Sequence, residues 1–556
     1  MTRFATKAEE ALGRWPLVVP VGLVVLFALV KLYGFQYGWL NIHGARDVER
    51  GWELLHGQRL WLNGPEMSFG GSTPGWFLYF FLGLFQIPAR NPLLMAALPA
   101  LFFAISVGFV YDAARRFFLP ATALAVAVLY GVFPFGTFAT RYIWNPAFIF
   151  FFSSLVFWAV AVGLSTKRPG WFALALLAAL LTAQLHISGF CLAVAVVVFL
   201  LATRYNPGKW PLLSVLGVYL LIVGPYFIYE IINGWPDQIR LTFQQETGEG
   251  LQVFRIGYVE TFLSVVGLQL FVKPDWWPEL PPFEYYSHYY AEGGRRAAAL
   301  GWVLFVLSIG LLKLLLAGIW MVIRYPKERS CPFLLFAMLA IVITCLPMMV
   351  WNPLIAGAED IRHPPRYFFV FWPAQFFLVG GGIVWLRRYA PRFFEPVTRA
   401  GLPAFVAAYT TFALGMTWHF VEVAKRDRVM FRYTTEYPGT VRPIIDKMSL
   451  AHFLVEYHGV DEGRFLSRVH ADRKVFIHTE EDLIHELRWA LETATPGEPS
   501  GESYFFLYDS RDAGRIEGNF TEISRAHFGT LGVLEFVPDE PLDEWQPDVP
   551  VGWWWY

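Results

Sequence analysis

The chain has 556 residues, of which 56% are apolar and only 16% charged, and its mean hydropathy is +0.42. Soluble domains carry about 25% charged residues, so a lipid-facing surface accounts for the missing polarity, and a disordered, fibrous or disulfide-scaffold protein is excluded. A net charge of −1 gives no sign of a nucleic-acid partner, and none is expected.

The N-terminus carries Arg3, Lys7 and Arg14 ahead of a long apolar run with no small-residue cleavage site, which reads as an uncleaved first membrane span. A bilayer core takes about 20 apolar residues per helix. Candidate spans of that kind fall near 16–35, 92–112, 119–137, 147–164, 171–187, 189–203, 211–230, 297–323, 331–350, 366–386 and 401–421. The segment from Thr73 to Pro88 is short and bounded by Pro74-Gly75 and Pro88, so it either spans or lies in the interface. Charge arbitrates. With 73–88 interfacial, Arg115-Arg116, Lys167-Arg168, Arg204 with Lys209, Arg324 with Lys327 and Arg329, and Arg387-Arg388 with Arg392 all share the side of the N-terminus. Basic loops mark the cytoplasm. The expectation is a polytopic α-helical membrane protein of about 11 transmembrane helices over residues 1–421, with its N-terminus in the cytoplasm and external loops near 36–91, 231–296 and 351–365.

From about residue 422 the character changes. Charges become dense, and the runs Lys474–His478, Tyr504–Tyr508 and Val533–Val537 look like strands, with a helical pattern over Glu480–Glu492. A small α/β domain over 422–556 is predicted, on the external side. Trp553-Trp554-Trp555-Tyr556 serves either as an interfacial anchor or as packing on that domain. Cys191, Cys331 and Cys345 all lie in apolar runs and offer neither a disulfide framework nor metal-ligand spacing.

In the first external loop Val48, Trp52 and Leu55 recur at helical spacing, so Ala45–His56 is predicted to be an amphipathic helix on the membrane, with Asp47 and Glu49 on its first turn. An acid there is placed to act as general base towards an acceptor hydroxyl or amine. The competing reading is that both acids merely stabilise a helix N-terminus. Arg141, in Thr140–Pro146, reads either as a phosphate ligand or as a snorkelling side chain. His186, in the stretch Gln184–Gly189 that interrupts two apolar helices, is either catalytic or a hydrogen-bonded structural residue. Arg362, His363, Arg366 and Tyr367 stand before the tenth span, where guanidinium forks suit phosphate oxygens; ion pairing with Glu359 and Asp360 is the alternative. Trp276-Trp277 with Tyr285-Tyr286 and Tyr289-Tyr290 form an aromatic patch suited to sugar rings or to an interface belt, and Phe254–Phe271 is a further candidate interfacial helix. Gly380-Gly381-Gly382 is expected to serve helix packing. No phosphate-cradling loop, HExxH or Gly-x-Ser-x-Gly occurs.

ARDVERGWELLHGQ, NGPEMSFGGSTPGWFLYFFLG, YDAARRFF, RYIWNPAFIFF and QLHISG follow one another in the first 210 or so residues, with RYFFVFWPA later. In that order they resemble the GT-C superfamily of integral-membrane glycosyltransferases, in the bacterial branch related to protein O-mannosyltransferases and the lipid A aminoarabinose transferase. The resemblance implies a GT-C fold and a catalytic Asp in the first external loop, a place that Asp47 occupies. It implies a sugar donor on a polyprenyl phosphate, whose phosphate Arg362 and Arg366 would hold. It also implies short helices such as 73–88 in the first loop. The sequence departs from the family where an Asp-Glu pair becomes Asp47-Val48-Glu49, where Asn145 replaces an acid of some relatives, and where His-Pro-Pro-Leu-Gly becomes Ser72-Thr73-Pro74-Gly75.

The function so implied is an inverting transfer of a hexose or pentose from the polyprenyl-phosphate donor to a lipid, cell-wall glycan or protein acceptor at the external face. Independence from cofactors is expected, with a divalent metal as the less favoured alternative. Two other readings stand beside it: a lipid or oligosaccharide transporter, which lacks the support of an inverted repeat, and a degenerate relative that only binds glycan through its C-terminal domain.

Overall fold

The structure is a computed structural model. It describes residues 17–35, 42–57, 59–66, 72–88, 92–140, 145–234, 294–355, 369–389 and 400–427, together with five strands in the C-terminal region.

Apolar runs become helices because only internal backbone hydrogen bonding satisfies the peptide groups when water is absent. In chain order these are α1 (Val18–Leu32), α2 (Ile42–Leu55), α3 (Phe77–Leu84), α4 (Pro92–Arg115), α5 (Pro120–Val132), α6 (Pro134–Ala139), α7 (Ile149–Thr166), α8 (Gly170–Leu185) and α9 (Ser188–Thr203). They continue with α10 (Lys209–Ile232), α11 (Gly294–Arg324), α12 (Cys331–Ile355), α13 (Trp372–Arg388) and α14 (Leu402–Asp427). Five helical stretches among the described residues are long and apolar enough to cross a membrane: Leu94–Arg115, Asn145–Thr166, Lys209–Ile232, Val306–Arg324 and Phe369–Arg388. Several others are apolar but shorter, so the expected total of about eleven spans is not established by length and composition.

Local sequence explains several of the helix ends. Pro120 opens α5, where its missing N–H leaves no bond unmade. The expected span at 119–137 is not continuous: Phe133 leaves the helical region, and Pro134 starts the separate helix α6. Helices α7 and α9 end on Lys167 and Arg204, both left-handed, at φ 57° and 56°. The short α3 is about 12 Å long, well under the roughly 30 Å hydrocarbon core. It cannot cross by itself.

The bundle packs α1 on α4, α4 on α5 and α7, α7 on α8, α8 on α9, and α9 on α12, while α13 sits between α11, α12 and α5. Its middle is aromatic: Phe103 stacks on Tyr130 with centroids 5.2 Å apart, and Phe150 stacks on Phe369 at 4.6 Å. The buried Tyr130 hydroxyl lies 3.0 Å from Ser106 Oγ and 3.2 Å from Ser154 Oγ, so this polar group joins α5 to α4 and α7. At the α11–α13 crossing, backbone touches backbone. A Cβ on Gly318 would collide with the Leu378 carbonyl, and one on Gly382 with the Leu314 carbonyl. Gly382 of the triple-glycine run thus faces α11, Gly381 faces Leu334 of α12 first and Gly318 of α11 next, and Gly380 makes room for Phe118 and Val126.

Two small strands, β1 (Asn63–Glu66) and β2 (Ser72–Pro74), pair antiparallel between α2 and α3. Nothing in the sequence reading had placed a hairpin there. In the C-terminal region β3 (Arg464–Ser467) pairs antiparallel with β4 (Lys474–Ile477), and β5 (Tyr504–Asp509), β6 (Phe520–Phe528) and β7 (Leu531–Pro538) form a sheet in the order β5-β7-β6. The three expected strands coincide with β4, β5 and β7, whereas the expected helix at 480–492 lies outside the described residues. The same holds for the aromatic patch at 276–290, the helix at 254–271 and the Trp553–Tyr556 tail.

Candidate active site at one end of the bundle

Asp47 lies on α2, which begins at Ile42, three residues earlier than the sequence pattern suggested. No acid therefore occupies its first turn, and Asp47 falls in the second. This corrects the expected first-turn placement. It also weakens the dipole explanation, since that effect fades beyond the first turn. Asp47 is 1% exposed. The backbone of Glu49 belongs to the same helix, but its side chain lies outside the described residues.

Helix α2 is held against α3 by a contact that only glycines permit. A Cβ on Gly51 would stand 2.6 Å from the Tyr79 carbonyl oxygen, and one on Gly83 would collide with the carbonyl of Gly51. Gln86, just past α3, donates from Nε2 to the Val48 carbonyl at 2.7 Å, one residue from Asp47. On the same side of α2, Arg50 donates to the Tyr79 hydroxyl at 2.9 Å, and its guanidinium lies 4.2 Å above the Trp61 ring. Trp61 in turn donates to Glu53 at 2.8 Å and carries Arg59 on its ring at 4.0 Å. Arg50 is buried, so its cation is stabilised by these rings and not by bulk water. Sequence spacing had passed over this Arg50–Trp61–Tyr79 cluster because its partners come from three separate segments.

The hairpin carries the arrangement to the broken helix pair. Gly75, at φ 108°, has the side-chain oxygen of Gln184 where a Cβ would stand, and the Ile222 carbonyl of α10 within 3.0 Å of that point. Gln184 itself donates to the Tyr219 hydroxyl at 3.2 Å. Two residues on, His186 ends α8 in an extended conformation. Its Nδ1 lies 2.8 Å from Ser188 Oγ and accepts the Ser188 backbone N–H at 3.3 Å, which puts the proton of the neutral ring on Nε2. Asn145 donates to the Leu185 carbonyl at the same break. The interruption expected at Gln184–Gly189 is thus present, closed by side chains that replace the lost helix bonds. It lets α9 turn back at once, because Gly189 packs directly on the Thr182–Ala183 backbone.

Arg141, Arg362, His363, Arg366 and Tyr367 lie outside the described residues. Their flanks converge. Phe369 follows the second segment and stacks on Phe150, five residues beyond Asn145 and the first segment. Phe150 packs edge-on to Phe103 at 5.3 Å, and over Phe103, 4.5 Å from its centroid, sits the ammonium of Lys31. Lys31 is 1% exposed and donates to Thr137, whose hydroxyl is 3.3 Å from that of Thr417. Glu230, near the end of α10, is also buried. The sequence carried a signal for both: each is an ionisable residue within an apolar helical run, a costly placement that marks function by default. Among the described residues no three His, Cys, Asp or Glu side chains come together to hold a metal ion.

Similar solved structures include the following two. One is ArnT from Cupriavidus metallidurans in the apo state, at 15% identity and a TM-score of 0.47, with 93% of this chain and 98% of that chain covered. The other is the Archaeoglobus fulgidus oligosaccharyltransferase in the apo form, at 15% identity and a TM-score of 0.39, covering 72% of this chain and 56% of that one. No family model and no curated protein matches the chain.

Proposed function

We propose that the protein is a multi-pass membrane glycosyltransferase that moves a sugar from a polyprenyl-phosphate donor to a lipid, glycan or protein acceptor. The observation that carries this reading is the setting of Asp47, a carboxylate buried on a helix that is fixed by backbone contact. Arg50, one turn further along the same helix, is a buried cation. Shielded from bulk water, such a group acts strongly on whatever reaches it. Asp47 takes the proton from the acceptor hydroxyl or amine, and the acceptor attacks the anomeric carbon from the face opposite the phosphate. Inversion follows from that single displacement. Arg141, Arg362, His363, Arg366 and Tyr367, with Glu49 and His186, complete the site, the cations offsetting charge on the departing phosphate. The Asp47 end of the bundle faces outward and the N-terminus lies in the cytoplasm of a bacterial inner membrane. Residues 422–556 form an external α/β domain there.

The test is transfer of radiolabelled sugar from a panel of polyprenyl-phosphate sugars to membrane extract in nanodiscs. Asp47→Asn is expected to lower the rate about 10²–10⁴-fold, the usual worth of a general base, while the melting temperature holds. Equal transfer by wild type and variant would remove Asp47 from the chemistry. Intact donor throughout, with export of lipid-linked sugar unaffected by the variant, would favour a transporter.

A further inference from the structure

A second constellation lies at the far end of the bundle. Between the end of α4, the end of α7, the α11–α12 turn and the end of α13 there is a cavity of 680 Å³. Arg115, Arg116, Arg329, Arg387 and Arg388 all line it, and among the described residues Glu328 is the one carboxylate in its wall. That carboxylate is already taken: Arg388 donates to it at 2.9 Å, and the Tyr389 hydroxyl donates to its other oxygen. Behind the wall Asp112 receives Arg115 at 2.6 Å and Arg116 at 2.8 Å, with Trp158 donating at 2.8 Å, so those two guanidiniums are held in place. Arg387 reaches only the Thr122 hydroxyl, at 3.3 Å. Among the described residues neither Arg387 nor Arg329 has a carboxylate partner, which leaves a surplus of positive charge facing the cavity.

The walls are as informative as the charges. Phe118, Leu119 and Val384 line the same cavity. Phe118 is buried against Gly380, and the neighbouring Phe117 stacks on Phe333 at 4.9 Å. Leu119, by contrast, is 49% exposed at the cavity's edge. A free inorganic anion has no use for an apolar rim open to the surroundings of a membrane helix. A molecule with a phosphate head and an acyl tail has use for both, and basic pockets between membrane helices are suited to such heads.

We propose that this cavity binds the phosphodiester head of one anionic phospholipid from the leaflet on the basic-loop side, with Arg329 and Arg387 as its principal partners. The site is independent of the chemistry assigned to Asp47: it lies at the C-terminal end of α4, a helix about 36 Å long whose N-terminal end follows α3, on which α2 packs. It fastens α4, α7, α11 and α13 to one another through a single ligand.

The test compares wild type, R329Q/R387Q and R329K/R387K in nanodiscs of phosphatidylcholine with increasing phosphatidylglycerol. Neither substituted residue holds Asp112 or Glu328, and melting in pure phosphatidylcholine reports whether each variant folds. Wild type is expected to retain one phosphatidylglycerol by native mass spectrometry and to melt higher as that lipid is added. The glutamine variant should retain it about tenfold less and lose the melting response, with the lysine variant between, because lysine keeps charge but not the bidentate fork. Equal retention by wild type and the glutamine variant would overturn the proposal. So would inorganic phosphate or pyrophosphate protecting wild type as well as phosphatidylglycerol does, which would assign the cavity to a soluble anion.

Discussion

At the scale of single residues, the molecule separates ionisable groups that sequence spacing finds from those that only packing reveals. Asp47 stood out because an acid on an apolar-striped helix beside a first span is a natural reactant for a membrane-bound substrate. Lys31 did not: its place within an apolar run is a signal of function, but a lysine so near the end of the run also reads as a snorkelling side chain. Its burial over Phe103, with Thr137 as acceptor, is incompatible with that reading. Lys31→Met keeps the volume, and the Thr137–Thr417 hydroxyl pair remains able to satisfy itself. The variant should therefore fold, yet bind a polyprenyl-phosphate donor about tenfold or more weakly if this cation belongs to the phosphate site. A titration of donor against the purified variant checks it, and unchanged affinity would return Lys31 to a purely structural role. His186 is the opposite case, a residue that the sequence did single out. Its spacing suggested either chemistry or structure, and its Nδ1 is engaged at the helix break by Ser188.

Elements were legible where one physical rule dominated. Long apolar runs gave the helices nearly to their ends, and short strand-like apolar runs gave β4, β5 and β7. Boundaries slipped where a local residue outweighed hydropathy, as at Pro134, which divides α5 from α6 inside what reads as one apolar stretch. The β1–β2 hairpin stayed hidden because its strands are three and four residues long and rich in glycine and proline, too short for any period to register. Two predictions belong at this scale. Gly83→Val should push α2 off α3 and so displace Asp47; transfer should fall by about 10²-fold, the cost of a misplacement near 1 Å, with little loss of overall melting stability. Gly382→Leu acts on the bundle itself, where a side chain meets the Leu314 carbonyl. It should destabilise by about 1–3 kcal/mol or more, the range for overpacking, and lower the melting temperature measured in detergent.

Across the whole molecule, the charge rule and the coordinates agree on one point. Arg115-Arg116, Arg329 and Arg387-Arg388, from three connections far apart in sequence, border one cavity and so share one end of the bundle. Sequence reasoning assigned these loops to a common side from hydropathy and charge alone. Which compartment that end faces is a matter for experiment: alkaline-phosphatase fusions after Tyr556 should be active, and those after Arg204 or Arg329 inactive, if the basic end is cytoplasmic. The opposite pattern would invert the protein and put Asp47 inside the cell. The contact of β3 with α2 is likewise a long-range placement that no local pattern encodes.

The glycine contact between α2 and α3 has a mechanical corollary. Side chains accommodate small displacements by changing rotamer, whereas two touching backbones have no such slack. Asp47 therefore cannot shift by itself: α2 carries α3 with it, and α3 is joined within two residues to Gly75, which rests on Gln184 and Ile222. The acid, the hairpin and the start of the helix break form a single lever. A substrate that nudged any part of it would be felt at all the others, in step.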